Sequence, residues 1–307
     1  MFAEPLKPIS ASTRYCAVLG RPIRHSASPA MQNAGIEQLG LNWRYLAFDV
    51  KPENLQAAVR GAAALQCIGL NLTVPHKLLA MEMMDLHDAS AREWGAVNTV
   101  RFEGRLGNGE WLPLRMFEER PPDQVRSHGF NTDADAIERS LREDLGVELT
   151  GSRVVLLGAG GAGRVAALKL AAEGARELFL VNRTRSKAEA IAEEIANRFP
   201  HTAAQVGYPR GDVDLLLNAT SLGLAAADPI PVEGAEFSLK QARCVYDMVY
   251  RPAETQLLQA ARQAGCATAN GLGMLLYQGA RALEIWSGQP APVEVMRSAL
   301  QKHIYGS

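Results

Sequence analysis

The chain has 307 residues, about twice the length of a typical single domain, so two packed domains are expected. Its 32 Lys and Arg nearly cancel 33 Asp and Glu, and no segment gathers enough cations to bind nucleic acid. No run is long enough to span a membrane, no secretory signal precedes residue 15, and the four cysteines lack metal-ligand spacing, so a cytoplasmic, metal-free protein with buried free thiols is predicted.

Strand-like and helix-like segments alternate from Tyr15 onward. They read YCAVLG, SPAMQNAGIEQLG, WRYLAFDV, PENLQAAVRGAAALQ, CIGLNLTV and PHKLLAMEMMDL. This alternation predicts a parallel sheet flanked by helices. The pattern stops after GAVNTVRF, where residues 103–129 are rich in Gly, Pro and charge and predict a hairpin followed by an irregular excursion.

A second α/β series follows a helix that begins near Thr132. Its predicted strands are RVVLLG, ELFLVN, DVDLLLNAT and CVYDMVY, and two helical stretches, GMLLYQGARALEIW and PVEVMRSALQKHI, close the chain. The fold class is therefore α/β with two domains and a cleft between them.

A glycine-rich turn stands between the first strand of this series and its helix. Gly158, Gly160 and Gly163 match G-x-G-x-x-G in the strand–turn–helix context that gives this short motif its meaning. Glycine lets the backbone approach a pyrophosphate, while the helix start offers N–H groups and a positive dipole end. The alternative is a tight turn that binds nothing; the context favours a Rossmann-like dinucleotide site.

The next strand ends at Asn182, where an NAD-specific protein usually carries an acidic residue. The residues that follow are Arg183, Thr184, Arg185, Ser186 and Lys187. Three cations without a carboxylate suit the 2′-phosphate of NADP, although an isolated basic turn is usually just solvated.

Lys77 is the candidate proton donor of the first domain. In NLTVPHK, Pro75 is expected at the first helical position and Lys77 in the first turn, where the helix dipole disfavours a cation. Such a position suits a general acid/base, whereas an exposed solvated lysine is the plainer alternative.

Several polar residues are predicted at strand ends or helix starts, where open α/β sheets bind ligands. Each also has a structural explanation: Ser28 could cap a helix, Asp133 could be a first-turn acid and Asn98 could end a strand. Together they could hold a small polyhydroxylated acid. The set is Ser26, Ser28, Asn71, Thr73, Asn98 and Asp133.

The motif order resembles the shikimate dehydrogenase family over about residues 15 to 300. The motifs are PIRHSASP, NLTVPHK, GAVNT, NTD, GAGGAGR, NRT, NATSLG, YDMVY and GLGML followed by Gln278. The resemblance implies NADPH-dependent reduction of 3-dehydroshikimate to shikimate in aromatic amino-acid biosynthesis. It also implies a substrate-binding domain of residues 1–131 plus 271–307 and an NADP-binding Rossmann-like domain of residues 132–270.

The resemblance assigns roles to individual positions. Lys77 matches the catalytic lysine, with Asp133 as its partner. Ser26 and Ser28 match carboxylate-binding hydroxyls near Tyr250, while Thr73, Asn98, Asp133 and Gln278 match ring-hydroxyl binders, with Asn71 beside them. The implied cofactor positions are Gly158, Ala159, Gly160, Gly161, Ala162, Asn182, Arg183, Thr184, Lys187, Met248 and Gly271.

Two positions depart from the family pattern. Thirty-one residues separate Thr99 from Asn131, more than the usual short hairpin, and this segment could cover the cleft, contact a second subunit or decorate the surface. Phe130 stands where the family often has a polar residue or Tyr.

Two other functions stay open at this point. One is a quinate/shikimate dehydrogenase that uses NAD or NADP, although Ser26 rather than Thr favours shikimate. The other is a non-catalytic NADP-binding sensor, which would need neither Lys77 nor Asp133. The oligomeric state is not determined, and a homodimer stays open.

Overall fold

The computed structural model describes residues 8–117, 120–225 and 227–306 and divides the chain into two compact units. The first unit comprises Met1–Thr132 and Gln278–Ser307, and the second comprises Asp133–Tyr277. Each unit has its own sheet with helices, which confirms the predicted two-domain α/β class.

The first unit contains a mixed sheet in the order β2-β1-β3-β5-β7-β4, with β6 paired to β5. Parallel pairing holds for β1 with β2 and β3 and for β4 with β7, whereas β5 is antiparallel to both β3 and β7. The parallel sheet predicted for this domain is therefore interrupted at β5. The strands are β1 (Arg14–Gly20), β2 (Trp43–Asp49), β3 (Gly69–Leu72), β4 (Leu86–His87), β5 (Thr99–Arg105), β6 (Trp111–Pro113) and β7 (Val125–Phe130).

A fully buried tryptophan joins the last part of the chain to this sheet. The Trp286 indole Nε1 donates to the Val100 carbonyl at 2.9 Å, and its ring lies over Gly69, where a Cβ would be 2.1 Å from Nε1. Gly69 is therefore required for this packing. The helices of the unit are α1 (Ser28–Gln38), α2 (Leu55–Ala64), α3 (His76–Leu79), α4 (Ala89–Trp94), the end of α9 (Leu272–Ser287) and α10 (Val293–Tyr305).

The long segment after Thr99 is an integral part of the first unit. Leu114 is fully buried, and the Arg14 guanidinium donates to the carbonyls of Leu114 at 2.7 Å and Phe117 at 3.2 Å. The buried Glu103 carboxylate accepts hydrogen bonds from Arg101, Arg126 and His128. These contacts join β5 to β7.

The second unit is a doubly wound sheet with all its strands parallel. Its order is β10-β9-β8-β11-β12-β13, so the direction of winding reverses between β8 and β11, the place where such sheets bind ligands. The strands are β8 (Arg153–Leu157), β9 (Glu177–Val181), β10 (Ala203–Val206), β11 (Val213–Asn218), β12 (Ala242–Asp247) and β13 (Ala267–Asn270). The helices are α5 (Asp133–Leu145), α6 (Gly161–Ala172), α7 (Arg185–Arg198), α8 (Gln256–Gln263) and the first part of α9.

The four cysteines, Cys16, Cys67, Cys244 and Cys266, are buried free thiols, as predicted. Within the described ranges, no helix combines the length and apolar character needed to cross a membrane.

Candidate active site

The carboxyl ends of β1 and β3 lie side by side because the two strands are parallel neighbours. Past the end of β3, the Thr73 amide donates to the Leu19 carbonyl at 3.0 Å, and the Arg21 amide donates to the Val74 carbonyl at 3.1 Å. The loop that carries Ser26 and Ser28 therefore starts beside Thr73.

Ser28 does not cap helix α1. The N-cap position belongs to Ala27, no side chain caps the helix, and Ser28 is its first residue. The Ser28 amide donates to Ser26 Oγ at 3.3 Å. The capping explanation for Ser28 is therefore wrong.

Backbone hydrogen bonds bring Lys77 and Asn98 to the same edge of the sheet. The Val97 amide donates to the Lys77 carbonyl at 3.0 Å, and the Leu72 amide donates to the Asn98 carbonyl at 2.8 Å. Asn98 precedes β5 rather than ending a strand. Asn71, Thr73, Lys77 and Asn98 thus form one group in the first unit.

Lys77 lies on a much shorter helix than its sequence predicts. Helix α3 has four residues, Pro75 precedes it at the N-cap position, and a 3-10 turn, Ala80–Glu82, follows. One turn aligns few peptide dipoles, so the predicted dipole effect on Lys77 has little structural basis. The segment cannot continue as a helix because Leu86 and His87 pair with β7.

A buried hydrogen-bond network underlies this group. Tyr45 Oη donates to Asn71 Oδ1 at 2.7 Å, and Asn71 Nδ2 donates to Thr99 Oγ1 at 3.0 Å. Burial raises the pKa of the Tyr45 hydroxyl well above its usual range, so this hydroxyl stays protonated.

The network continues from Thr99 to the start of α5. Thr99 Oγ1 donates to Asn98 Oδ1 at 3.1 Å, Asn98 Nδ2 donates to Thr132 Oγ1 at 3.0 Å, and Thr132 Oγ1 donates to the Gln278 carbonyl at 3.1 Å. Gln278 thereby joins the predicted substrate-binding group through its backbone. The sequence analysis did not identify Tyr45, Thr99 or Thr132 as functional residues. Thr99 and Thr132 could have been found, since they are the threonines of the motifs GAVNT and NTD.

The predicted substrate group also includes two residues of the second unit. Asp133 is 7% exposed and is the first residue of α5, as expected of a first-turn acid. Tyr250 follows β12 and is half-buried; burial raises the pKa of its hydroxyl, and the Arg251 charge opposes the shift. Their roles toward Lys77 and a substrate stay predictions.

The glycine turn of the second unit has a tight side and an open side. Gly158 has a φ of +102°, and a Cβ on Gly163 would lie 2.0 Å from the Gly158 carbonyl oxygen. In contrast, a Cβ on Gly160 or Gly161 would meet no atom within 4 Å. Gly160, Gly161 and Ala162 are exposed at the start of α6, whose first N–H groups have no partner within the helix. Together with Ala159, they form a surface that fits a pyrophosphate.

Asn182 holds the glycine turn against the next loop. Its Oδ1 accepts from the Ala159 amide at 2.9 Å, and its Nδ2 donates to the Thr184 carbonyl at 2.8 Å. This geometry assigns Asn182 a positioning role within the predicted cofactor segment.

The basic residues after Asn182 are not equivalent. Arg185 pairs with Glu189 at 2.8 Å, so a carboxylate does reach one of the three predicted cations. Arg183 and Lys187 are exposed, and neither forms an ion pair within the described part of the chain. These two cations, beside Thr184, are the ones that fit a phosphate.

Met248 and Gly271 lie against each other at the carboxyl ends of β12 and β13. A Cβ on Gly271 would lie 2.0 Å from the Met248 carbonyl oxygen. The structure therefore brings together the two residues predicted near the nicotinamide, and the missing Gly271 side chain permits their approach.

A buried polar cluster below Met248 was missed by sequence reasoning. Asn218 Nδ2 donates to Asp247 Oδ1 at 2.9 Å, and Thr255 Oγ1 donates to Asp247 Oδ2 at 2.6 Å. Burial raises the pKa of the Asp247 carboxyl, although these hydrogen bonds oppose the shift. The motifs NATSLG and YDMVY could have indicated this cluster, because Asn218 and Asp247 are polar residues at the ends of predicted strands. Among the described residues, no group of three or more His, Cys, Asp or Glu could hold a metal ion.

Three family models match the chain. Their descriptions are Shikimate dehydrogenase substrate binding domain, over residues 18–100, Shikimate / quinate 5-dehydrogenase, over 140–225, and Shikimate 5'-dehydrogenase C-terminal domain, over 271–301. A shikimate dehydrogenase (NADP(+)) of Methanopyrus kandleri is 42% identical over 303 residues, which cover 96% of this chain and 98% of that protein.

Solved structures agree with these matches. A shikimate dehydrogenase crystallised with NADP+ has a TM-score of 0.81 and 34% identity, covering 98% of this chain and 99% of that one. A shikimate 5-dehydrogenase of Thermus thermophilus, in complex with NADP(H) and shikimate, has a TM-score of 0.77 and 33% identity, covering 94% and 99%.

Proposed function

Because the chain belongs to the shikimate dehydrogenase family, we propose that it catalyses the reversible NADPH-dependent reduction of 3-dehydroshikimate to shikimate. The observation that carries this function is the gathering of Asn71, Thr73, Lys77 and Asn98 at one sheet edge by backbone hydrogen bonds. Sheet edges of this kind are where α/β proteins bind small polar ligands.

The first unit supplies hydrogen-bonding groups for a polyhydroxylated acid. Asn98 Nδ2 uses one hydrogen on Thr132, and its second has no bond to a described residue. The Thr73 hydroxyl likewise has no bond to a described residue, so both groups support binding of ring hydroxyls. Ser26 and Ser28 are assigned to the carboxylate, with Tyr250, and Gln278 to a ring hydroxyl.

The second unit supplies the cofactor site. The open side of the glycine turn from Gly158 to Ala162 fits the pyrophosphate, and Arg183 and Lys187 fit the 2′-phosphate, which only NADP carries. Met248 and Gly271 are assigned to the nicotinamide end. The proposed NADP-binding domain is residues 132–270 and the proposed substrate-binding domain is residues 1–131 with 271–307, whereas the compact units divide at Thr132/Asp133 and Tyr277/Gln278.

Lys77 is the proposed acid of the reaction. Bound NADPH supplies a hydride to the ketone carbon of the substrate. Lys77 donates a proton to the oxygen that gains charge in that step and removes it in the reverse direction. Asp133 is assigned as the group that orients the Lys77 ammonium, and Asn98 holds a neighbouring hydroxyl.

Steady-state kinetics of the purified protein test this function. Shikimate and quinate are each assayed with NADP and with NAD, and kcat/KM is compared. The highest value is expected for shikimate with NADP. A higher value for quinate, or for NAD, would support the quinate/shikimate dehydrogenase alternative, and no turnover with any pair would support a sensor.

The protein is further proposed to act in the cytoplasm on this small substrate alone. Four free cysteines support a reducing compartment, and the near-balanced charge gives no support to a nucleic-acid partner. Neither observation bears on whether the protein forms a homodimer. Light scattering in solution would determine its oligomeric state.

A further inference from the structure

Tyr45 occupies an unusual position beneath the proposed substrate site. Its side chain is 1% exposed on β2, and its ring centroid lies 6.1 Å from that of Trp286. Its hydroxyl donates to Asn71 Oδ1 at 2.7 Å, and the proposed function places Asn71 at the substrate. The Tyr45 phenol therefore contacts that site through Asn71.

The orientation of the Asn71 amide is fixed by a neighbouring group that can only accept a hydrogen bond. The Asn98 backbone carbonyl can only accept, and it lies 3.3 Å from Asn71 Nδ2. Asn71 Oδ1 must then face Tyr45, so the Tyr45 hydroxyl must donate to it.

The same reasoning fixes the Asn98 amide. The Thr132 backbone amide can only donate, and it reaches Asn98 Oδ1 at 2.8 Å. Thr99 Oγ1 accepts from Asn71 and donates to the same Asn98 oxygen. Asn98 can then present only an N–H to a substrate oxygen. The side-chain donors from Tyr45 through Asn71 and Thr99 to Asn98 run in one direction, and the Thr132 backbone amide donates back to Asn98 Oδ1.

Because the groups of this network are buried, each depends on its hydrogen-bond partner within the protein. Asn71 is 6% exposed, Asn98 is 1% exposed and Thr99 is fully buried. Without the Tyr45 proton, Asn71 Oδ1 would face an apolar ring edge, and its amide would lose the group that sets its orientation.

We infer that Tyr45 is a positioning residue, which holds the Asn71 amide in the orientation that binds the substrate. The inference rests on the proposed function. Tyr45 acts on substrate binding through Asn71 and, beyond Thr99, through Asn98.

Tyr45→Phe tests the inference because it removes only the hydroxyl. The KM for shikimate is expected to rise by about tenfold, the effect of misplacing one or two buried hydrogen bonds, while the KM for NADP stays within about twofold. Tyr246→Phe is the matched control: Tyr246 is fully buried in the second unit, and its hydroxyl lies 2.9 Å from Ser140 Oγ. Its KM for shikimate is expected to be unchanged. Equal changes in both variants would assign Tyr45 a merely structural role.

A double-mutant cycle shows whether Tyr45 acts through Asn71. Tyr45→Phe, Asn71→Ala and the double variant are compared by kcat/KM for shikimate. The double variant is expected to lose less than the product of the two single losses. Losses that multiply would overturn the inference.

A measurement without substrate separates this inference from the proposed function. In protein labelled with 15N-asparagine, the Asn71 side-chain amide signal is identified by its loss in Asn71→Ala. It is expected to shift or broaden in Tyr45→Phe but not in Tyr246→Phe, and an unchanged signal would refute the inference. Absence of shikimate turnover by the unmodified protein would instead refute the proposed function.

Discussion

Gly163 lies directly against the carbonyl of Gly158, so closely that a Cβ on Gly163 would be 2.0 Å from that oxygen. The third glycine of the turn therefore serves the packing of α6 against the end of β8. Gly160 serves a different purpose, since a Cβ there would point into open space.

Alanine is expected to affect stability at Gly163 and cofactor binding at Gly160. Gly163→Ala should lower the free energy of unfolding by about 1–3 kcal/mol, because the helix must move away from the turn. Gly160→Ala should leave unfolding within about 0.5 kcal/mol, since its φ of −82° suits alanine, but should raise the KM for NADP by about tenfold. Urea unfolding and cofactor titration measure the two effects. Normal NADP affinity in Gly160→Ala would argue against a pyrophosphate at this turn.

Arg183→Ala should weaken NADP binding by about tenfold or more and leave NAD binding nearly unchanged, because one charge-assisted hydrogen bond to the 2′-phosphate is lost. Arg185→Ala is the control, since Arg185 pairs with Glu189. The dissociation constants of both cofactors are measured by fluorescence titration. Equal effects of the two substitutions would mean that the phosphate is recognised by other residues.

Lys77→Ala should lower kcat for shikimate oxidation by about 10²- to 10⁴-fold, the usual contribution of a general acid/base. The dissociation constant of NADP should not change, and the exposed Lys51→Ala should retain full activity. Stopped-flow single-turnover assays separate the chemical step from product release. A Lys77→Ala enzyme with normal kcat would exclude this lysine as the proton donor.

Glu103 should make stability depend on pH in the acid range. Burial tends to raise the pKa of its carboxyl, but hydrogen bonds from His128, Arg101 and Arg126 outweigh burial and lower it from 4.5 to about 2. A lowered pKa stabilises the fold above pH 4.5, and this stabilisation is lost as the pH falls toward 2.

Glu103→Gln should therefore reduce the free energy of unfolding at pH 7 by about 3 kcal/mol, the equivalent of such a shift. The difference from the unmodified protein should shrink as the pH falls from 4.5 toward 2, measured by urea unfolding at several pH values. Glu254→Gln, which breaks the exposed pair with Arg262, should cost less than about 1 kcal/mol at any pH. A difference between Glu103→Gln and the unmodified protein that does not depend on pH would contradict the lowered pKa of the Glu103 carboxyl.

Local patterns predicted the elements that carry the glycine turn. A window of a few residues is enough to recognise the apolar strands that end at Gly158 and Asn182, because strand, turn and helix signals depend on near neighbours. Local pattern failed at α3, where an apolar stretch predicted a long helix. Pairing of Leu86 and His87 with β7 decided that segment, and no local signal reports a partner forty residues away.

By itself, the sequence determined the two-domain α/β architecture, the dinucleotide turn and the order of the polar motifs. Tertiary structure alone decided which side chains meet: Tyr45 with Asn71, 26 residues apart, and Asn98 with Thr132, 34 residues apart. It also separated Arg183 from the paired Arg185, and it placed Ala27 rather than Ser28 at the N-cap of α1. The physical reason is that a buried hydrogen bond depends on the geometry of both partners, whereas a sequence pattern records only the presence of each.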